Sequence, residues 1–266
     1  MKESIFLRLG SLKEHTRLCH IYSNNTERLD IGTKFIIYGV RNKEKSIYIS
    51  DKVIPNEFIY RLEAAGIDIN KARRQGSFKE LTIFKKQADS MKEPNSFIAQ
   101  LSPILEEISK NSNMAIRVLK NKESLLFTHD NLLRREALLD KLTTEMPIIF
   151  LCQYDIRKIA SQDLMNLFTT HRLVVFENTL FESPFYTLPY ELLARLDQAS
   201  SQMEVLTDKE KEILRYIVNG YSNNDIAEEI SISVRTVETH RANIMRKLEI
   251  NKLVDLVKFA IQNGIS

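Results

Sequence analysis

Between Ser233 and Leu248 the chain places four basic side chains, Arg235, Arg241, Arg246 and Lys247, against the acid Glu238. Ser233, Thr236, Thr239, Ala242 and Asn243 are interleaved with them. These residue types suit the reading of a DNA groove: a guanidinium for guanine or phosphate, an amide for adenine, a carboxylate for cytosine and a methyl group for thymine. At about 100° per residue, Val237, Ile244 and Leu248 fall on one side of a helix. Arg235, Thr239, Ala242 and Arg246 fall on the opposite side, with Glu238 and Asn243 at its edges. The candidate DNA-binding set is therefore Ser233, Arg235, Thr236, Glu238, Thr239, Arg241, Ala242, Asn243, Arg246 and Lys247.

Such a helix reads DNA only if short partners hold it. Thr207 and Glu210 fit a capping box, and Ile213, Leu214, Ile217 and Val218 recur on one face until Gly220 stops the helix. Ser222 and Asp225 form a second capping pair before Ile226, Ala227 and Ile230, and Ser233 is placed to cap the reading helix. Helix, short turn, helix is the arrangement that presents a recognition helix to a major groove. A last helix, Lys252–Asn263, carries Val254, Val257 and Ile261 on one side and Leu253, Leu256 and Ala260 on another. Two apolar stripes on one helix call for a partner surface, so a homodimer through this helix is expected.

These residues resemble the LuxR/NarL-type helix-turn-helix throughout Leu206–Ser266. The matching positions include Leu206-Thr207, Glu210, Glu212-Ile213-Leu214, Gly220, Ile226-Ala227, Thr236-Val237, His240 and Lys247-Leu248. The resemblance implies a small all-α, four-helix domain that dimerises on double-stranded DNA, with Glu238, Thr239 and Ala242 facing base edges. Ala242 offers only a methyl group, so base reading leans on Glu238, Thr239 and Arg235.

In the first two hundred residues, strand-like and helix-like segments alternate, which predicts a parallel sheet flanked by helices. Strands are expected at 17–22, 46–49, 81–84, 114–118, 147–153 and 173–176, and helices at 26–38, 56–65, 95–109 and 132–142. A strand, a polar turn and a helix open this part, as in RecA and KaiC ATPases. The turn, however, is Ser23-Asn24-Asn25-Thr26-Glu27-Arg28, without glycine or a Gly-Lys-Ser/Thr run. The backbone cradle and the phosphate-reaching lysine are both missing, and Glu27 would repel phosphate. ATP hydrolysis and a nucleotide cofactor are not expected. No nucleophilic triad or carboxylate pair stands out, and Cys19 and Cys152 lack metal-ligand spacing, so no catalytic residue and no metal are assigned.

The segment from Arg17 to Pro189 resembles the MEDS sensory domain, which looks like a RecA-type fold with an eroded phosphate loop. Matching points are Cys19 and Tyr22, Phe35-Ile36 with Gly39, Glu44 with Ile47-Tyr48-Ile49, Gly66-Ile67-Asp68, Arg117-Val118, Glu136, Leu151 to Asp155, and Thr170-His171. The resemblance implies a sensor for a small-molecule or protein signal. Its pocket is expected where strand ends meet loops, which selects Tyr22, Arg117, Cys152, Tyr154, Asp155 and His171.

The whole reads as an α/β parallel-sheet sandwich, RecA-like with a degenerate phosphate loop, at 1–188, a linker with a flexible break at 189–204, and the helix-turn-helix at 205–266. A net charge of only +3 means that DNA affinity must come from charge placement. The absence of a long apolar run or signal-peptide core excludes a membrane partner and points to the cytoplasm. Competing readings are a DNA-tethered NTPase or transferase and a quorum-sensing autoinducer receptor. The second would favour a Trp-containing pocket, and the chain has no Trp. A phosphoacceptor receiver domain is disfavoured because no early acidic pair lines up with later Thr/Lys strand ends.

Overall fold

A computed structural model describes residues 5–50, 52–82, 94–110, 115–121 and 129–262. The chain divides into two compact units, Met1–Pro189 and Tyr190–Ser266.

The first unit is built on a seven-stranded sheet. Its elements are α1 (Ile5–Gly10), β1 (Thr16–Tyr22), α2 (Asn25–Arg41), β2 (Lys45–Ser50), α3 (Asn56–Ala64), α4 (Ile69–Arg74) and β3 (Phe78–Thr82). There follow α5 (Pro94–Lys110), β4 (Ile116–Asn121), α6 (His129–Glu145), β5 (Ile148–Asp155), α7 (Ser161–Thr170), β6 (Leu173–Phe176) and β7 (Thr179–Glu182). The strand order is β3-β2-β4-β5-β1-β6-β7. Six strands run parallel, and β7 alone is antiparallel.

Side-chain alternation along the strands sorts the core into two layers. Leu18, Tyr48, Leu119, Ile149 and Leu151 pack beneath Leu29, Phe35, Ile36, Phe58 and Leu62 of α2 and α3. Cys19, Ile21, Ile47, Val118, Phe150 and Cys152 face the other way, toward Leu101, Leu105, Leu139 and Leu167 of α5 to α7. Every residue of β5 is buried, as a strand covered on both faces requires. Its apolar run is the reason its position was legible.

The third strand begins at Phe78, earlier than expected, and the fourth at Ile116; residues 83, 84 and 114 lie outside the described set. Three helices (α1, α4 and α7) and β7 were not expected. β7 returns on β6 through Glu177 and Asn178, both at positive φ (47° and 58°), which is the backbone of a tight hairpin turn. At this edge, Arg8 Nη1 donates to Leu180 O at 2.9 Å.

The second unit contains α9 (Asp208–Val218), α10 (Asn223–Glu229), α11 (Val234–Lys247) and α12 (Leu253–Gln262). Residues 189–204, expected to break at 198–202, form the uninterrupted helix α8. Ser200, Ser201 and Gln202 do not stop it because no proline or glycine follows Pro189 within the segment.

Candidate DNA-reading face and a buried polar cluster

The candidate reading helix is held by caps. Thr207 Oγ1 accepts from Glu210 N at 3.3 Å while Glu210 Oε2 accepts from Thr207 N at 2.8 Å. Ser222 and Asp225 repeat the device at 3.3 and 2.8 Å. Ser233 Oγ accepts from Thr236 N at 3.1 Å and also meets Thr236 Oγ1 at 2.7 Å. Val237, Ile244 and Leu248 are buried against Ile213, Leu214, Ile217, Ile226 and Leu256. The opposite face leaves Arg235, Thr236, Glu238, Thr239, Ala242 and Arg246 exposed. Thr239 Oγ1 donates to Arg235 O at 2.9 Å, which turns its methyl group away from the helix backbone.

Two of the four expected cations are used inside the unit. Arg241 Nη1 donates to Asn223 Oδ1 at 2.6 Å, tying α11 to α10. Lys247 Nζ lies 2.7 Å from Glu210 Oε2. Burial pushes the Glu210 carboxyl up, but Lys247 and the Thr207 groups more than reverse this and hold it below its ordinary value. Ser233, Asn243, Arg241 and Lys247 therefore flank the exposed face, with Arg235 and Arg246 as its outward cations.

In the sheet unit the six expected ligand residues do not form one site. Tyr22 and Asp155 end β1 and β5 as direct partners, and Asp155 is engaged by Arg157 at 2.8 and 2.7 Å. Arg117, the second residue of β4, lies toward the other end of the strands. Its Nε meets Glu44 Oε2 at 2.5 Å, its Nη1 donates to Leu9 O at 2.9 Å, and its guanidinium stacks 4.7 Å over Phe35. It is a core ion pair. Arg117 and Asp155 stay apart, because they belong to opposite ends of neighbouring strands.

Cys152, Tyr154 and His171 do come together, around Glu136 of α6. Glu136 Oε2 accepts from Arg17 Nη2, and Oε1 accepts from Arg135 at 2.5 and 3.1 Å with Lys120 Nζ at 3.5 Å. Arg17 Nη1 donates to the backbone oxygens of Glu136 (2.7 Å) and Thr170 (3.2 Å). His171 Nδ1 sits 2.9 Å from Leu167 O, so Nδ1 carries the proton and Nε2 is left as a lone pair. Burial first, then Arg17, holds His171 well below its ordinary value. The donor atoms of Glu136, Cys152 and His171 lie within 4.8 Å of one another. Both Glu136 oxygens are already saturated by cations, so a metal ion would have to displace Arg17 and stand among like charges. The donor set does not fit a metal.

A second polar group, unanticipated as a unit, fills the turn after β1. Glu27 Oε2 accepts from Ser23 N (3.0 Å) and Ser23 Oγ (3.2 Å), while Glu27 Oε1 lies 3.6 Å from His20 Nε2. Gln153 Nε2 donates to His20 Nδ1 at 3.0 Å and to Arg28 O at 2.8 Å. The carboxylate of Glu27 thus takes a backbone donor at the turn where a phosphate loop would hold its anion. His20 first, together with Ser23 and against burial, holds Glu27 down at about 2. Burial lowers His20 from its ordinary 6.5 despite Glu27.

A depressed acid stabilises the fold above its unfolded value and loses that contribution as it protonates. A depressed histidine likewise costs stability once pH falls below its unfolded value. Resistance of the sheet unit to thermal unfolding should therefore fall first below pH 6.5 through His20 and His171, then between 4.5 and about 2 through Glu27. Glu27→Gln should flatten the lower step. An unchanged pH profile in that variant, followed by circular dichroism, would exclude this assignment.

Residues 18–172 match the family described as MEDS, the methanogen/methylotroph, DcmR sensory domain. The chain belongs to the MEDS family. After this MEDS segment, residues 204–260 match the luxR family of bacterial regulatory proteins. Curated relatives are similar over parts of the chain. The fimbriae Z protein of Escherichia coli (strain K12) is 35% identical over 98 residues, 37% of this chain and 46% of that protein. The DNA-binding transcriptional activator EvgA of the same strain is 41% identical over 70 residues, 26% of this chain and 34% of that protein. The uncharacterized response regulatory protein YgeK is 45% identical over 60 residues, 23% of this chain and 41% of that protein. The MEDS-family chain thus spans less than half the length of these relatives. Among solved structures, the flagellar accessory protein FlaH of Methanocaldococcus jannaschii matches with a TM-score of 0.44 and 11% identity, covering 71% of this chain and 89% of that one. Among the described residues, no helix is long and apolar enough to cross a membrane.

Proposed function

We propose that this chain is a cytoplasmic, DNA-binding transcriptional regulator whose MEDS-type domain senses a signal and controls the helix-turn-helix. The observation that carries it is α11: Val237, Ile244 and Leu248 face inward while Arg235, Glu238, Thr239, Ala242 and Arg246 stand exposed, inside the segment that matches the luxR family. The proposed division is a RecA-like sensory domain at 1–188 with a degenerate phosphate loop, a connecting helix at 189–204 and the DNA-binding domain at 205–266. The signal acts by shifting the population of presentations that the two reading helices of a dimer make to DNA.

Assembly is assigned to α12. Leu256 and Ala260 are buried, whereas Leu253 and Val254 are 43% and 62% exposed; the side chain of Ile261 lies outside the described set. A two-fold dimer should protect an imperfect palindrome whose half-sites lie about one helical turn apart. Genomic selection followed by footprinting tests this, and a footprint of one half-site with one protomer per duplex would contradict it.

The rival, a nucleotide-dependent enzyme, predicts ATP turnover. The nearest remnants of a phosphate site are Thr26, exposed, and Lys34, which lies 2.8 Å from Asp30 on the same helix. Phosphoryl transfer depends on positioned cations and backbone donors, and Glu27 holds the turn. Thr26→Ala and Lys34→Ala should leave DNA binding unchanged. Steady ATP hydrolysis that disappears in the Lys34 variant would reverse the assignment.

A further inference from the structure

The chain has two cysteines, far apart in sequence, and the fold makes them direct cross-strand partners, Cys19 of β1 with Cys152 of β5. Both are fully buried and face the layer covered by α5 to α7. Neighbouring strands lie about 4.8 Å apart, inside the roughly 4.4–6.8 Å that separates the Cα atoms of a disulfide. Registered side chains of parallel strands run side by side. Their Cβ atoms therefore stay near the strand spacing, somewhat beyond the roughly 3.5–4.5 Å that a relaxed bridge prefers. The two sulfurs are also unequal. Arg17 Nη2 donates to Cys152 Sγ at 3.8 Å, so a cation meets negative charge that develops on that sulfur.

We propose that Cys19 and Cys152 are a modification site: a small hydroperoxide oxidises them to a reversible intramolecular disulfide, with Cys152 reacting first. The Cys152 sulfur attacks the distal oxygen of the peroxide; the O–O bond breaks, and the peroxide leaves as an alcohol, or as water from hydrogen peroxide. Cys152 is now a sulfenic acid. Cys19, whose thiol is pushed up by burial and then by Cys152, keeps its proton until it attacks the sulfenic sulfur. The S–S bond forms, and hydroxide departs with the Cys19 proton as water. Two thiols have then lost two electrons and two protons to the peroxide.

Full burial admits only a small, neutral oxidant. Closing the Cβ gap must pull β1 toward β5 and take Cys152 from Arg17, and such distortion makes a bridge easier to reduce. The inference stands independently of the DNA-binding reading.

The test uses the reduced full-length chain treated with hydrogen peroxide, then alkylated under denaturing conditions and digested without reductant. The expected product is a monomer in which the Cys19 and Cys152 peptides are joined, released by dithiothreitol. In Cys19→Ala, dimedone should label Cys152 at least about tenfold faster than it labels Cys19 in Cys152→Ala, because a nearby cation favours the reacting sulfur. Complete alkylation of both cysteines in folded, peroxide-treated wild-type protein would overturn the proposal. Cross-links between chains in place of the internal bridge would do so equally.

Discussion

Replacing Glu136 by alanine should lower the stability of the sheet domain by about 3–5 kcal/mol, the range for removing one partner of a buried charge network. Glu136 is fully buried, and Arg17, Arg135 and Lys120 all converge on its two oxygens. Without it, the three buried cations lose the carboxylate they share, and Asp140 beside Arg17 is a poor substitute because burial pushes its own carboxyl up. The network also has a definite direction in pH. Burial raises Glu136, but Lys120, Arg135 and Arg17 pull it well below 4.5, so its contribution is complete above that value and fades as pH falls. Glu136→Gln keeps hydrogen-bond acceptors and loses the charge, so it should fall between wild type and alanine. Urea unfolding read by circular dichroism measures both. A loss under about 1 kcal/mol for the alanine variant would mean that the cluster is solvated and would remove this account.

Specific DNA binding should weaken by about 1–3 kcal/mol on Arg235→Ala or Arg246→Ala if each reads a base, or show a salt slope smaller by about one if it meets phosphate. Lys247→Ala should behave differently. Its ammonium compensates the buried Glu210 carboxylate at 2.7 Å, so the variant should lower the melting temperature of the helical unit and affect DNA chiefly through folding. Titration of a selected operator at several salt concentrations, beside thermal melts, separates the two. Wild-type affinity and salt slope in both arginine variants would sink the assignment of this face.

The sequence made the helical unit readable because each boundary is chemically marked: Thr207, Ser222 and Ser233 accept the N–H bonds that their types suggest. It could not separate outward-facing cations from structural ones. Arg241 and Lys247 count as charge until Asn223 and Glu210 are seen opposite them. In the sheet unit, a continuous apolar run located β5, whereas β7 is four residues with only Leu180 buried, too short to register as a period. Choosing ligand residues by strand ends failed for Arg117 because a small shift in where β4 begins moves the residue from the exit of the strand to its entry. Glu27 was legible as hostile to phosphate. That it pairs with His20 was not, since only the β1–α2 packing brings the two together.

The edge at β7 bears on how the protein behaves in a crowded solution. An open strand edge invites other chains to add to it, and that is a route to aggregation that stability alone does not block. Here the final strand is short, reversed in direction and flanked by Glu182 and Arg172. One of its carbonyls is already occupied by Arg8 from the first helix. Removing that guanidinium should matter little to the melting temperature and much to the concentration at which the protein stays dispersed.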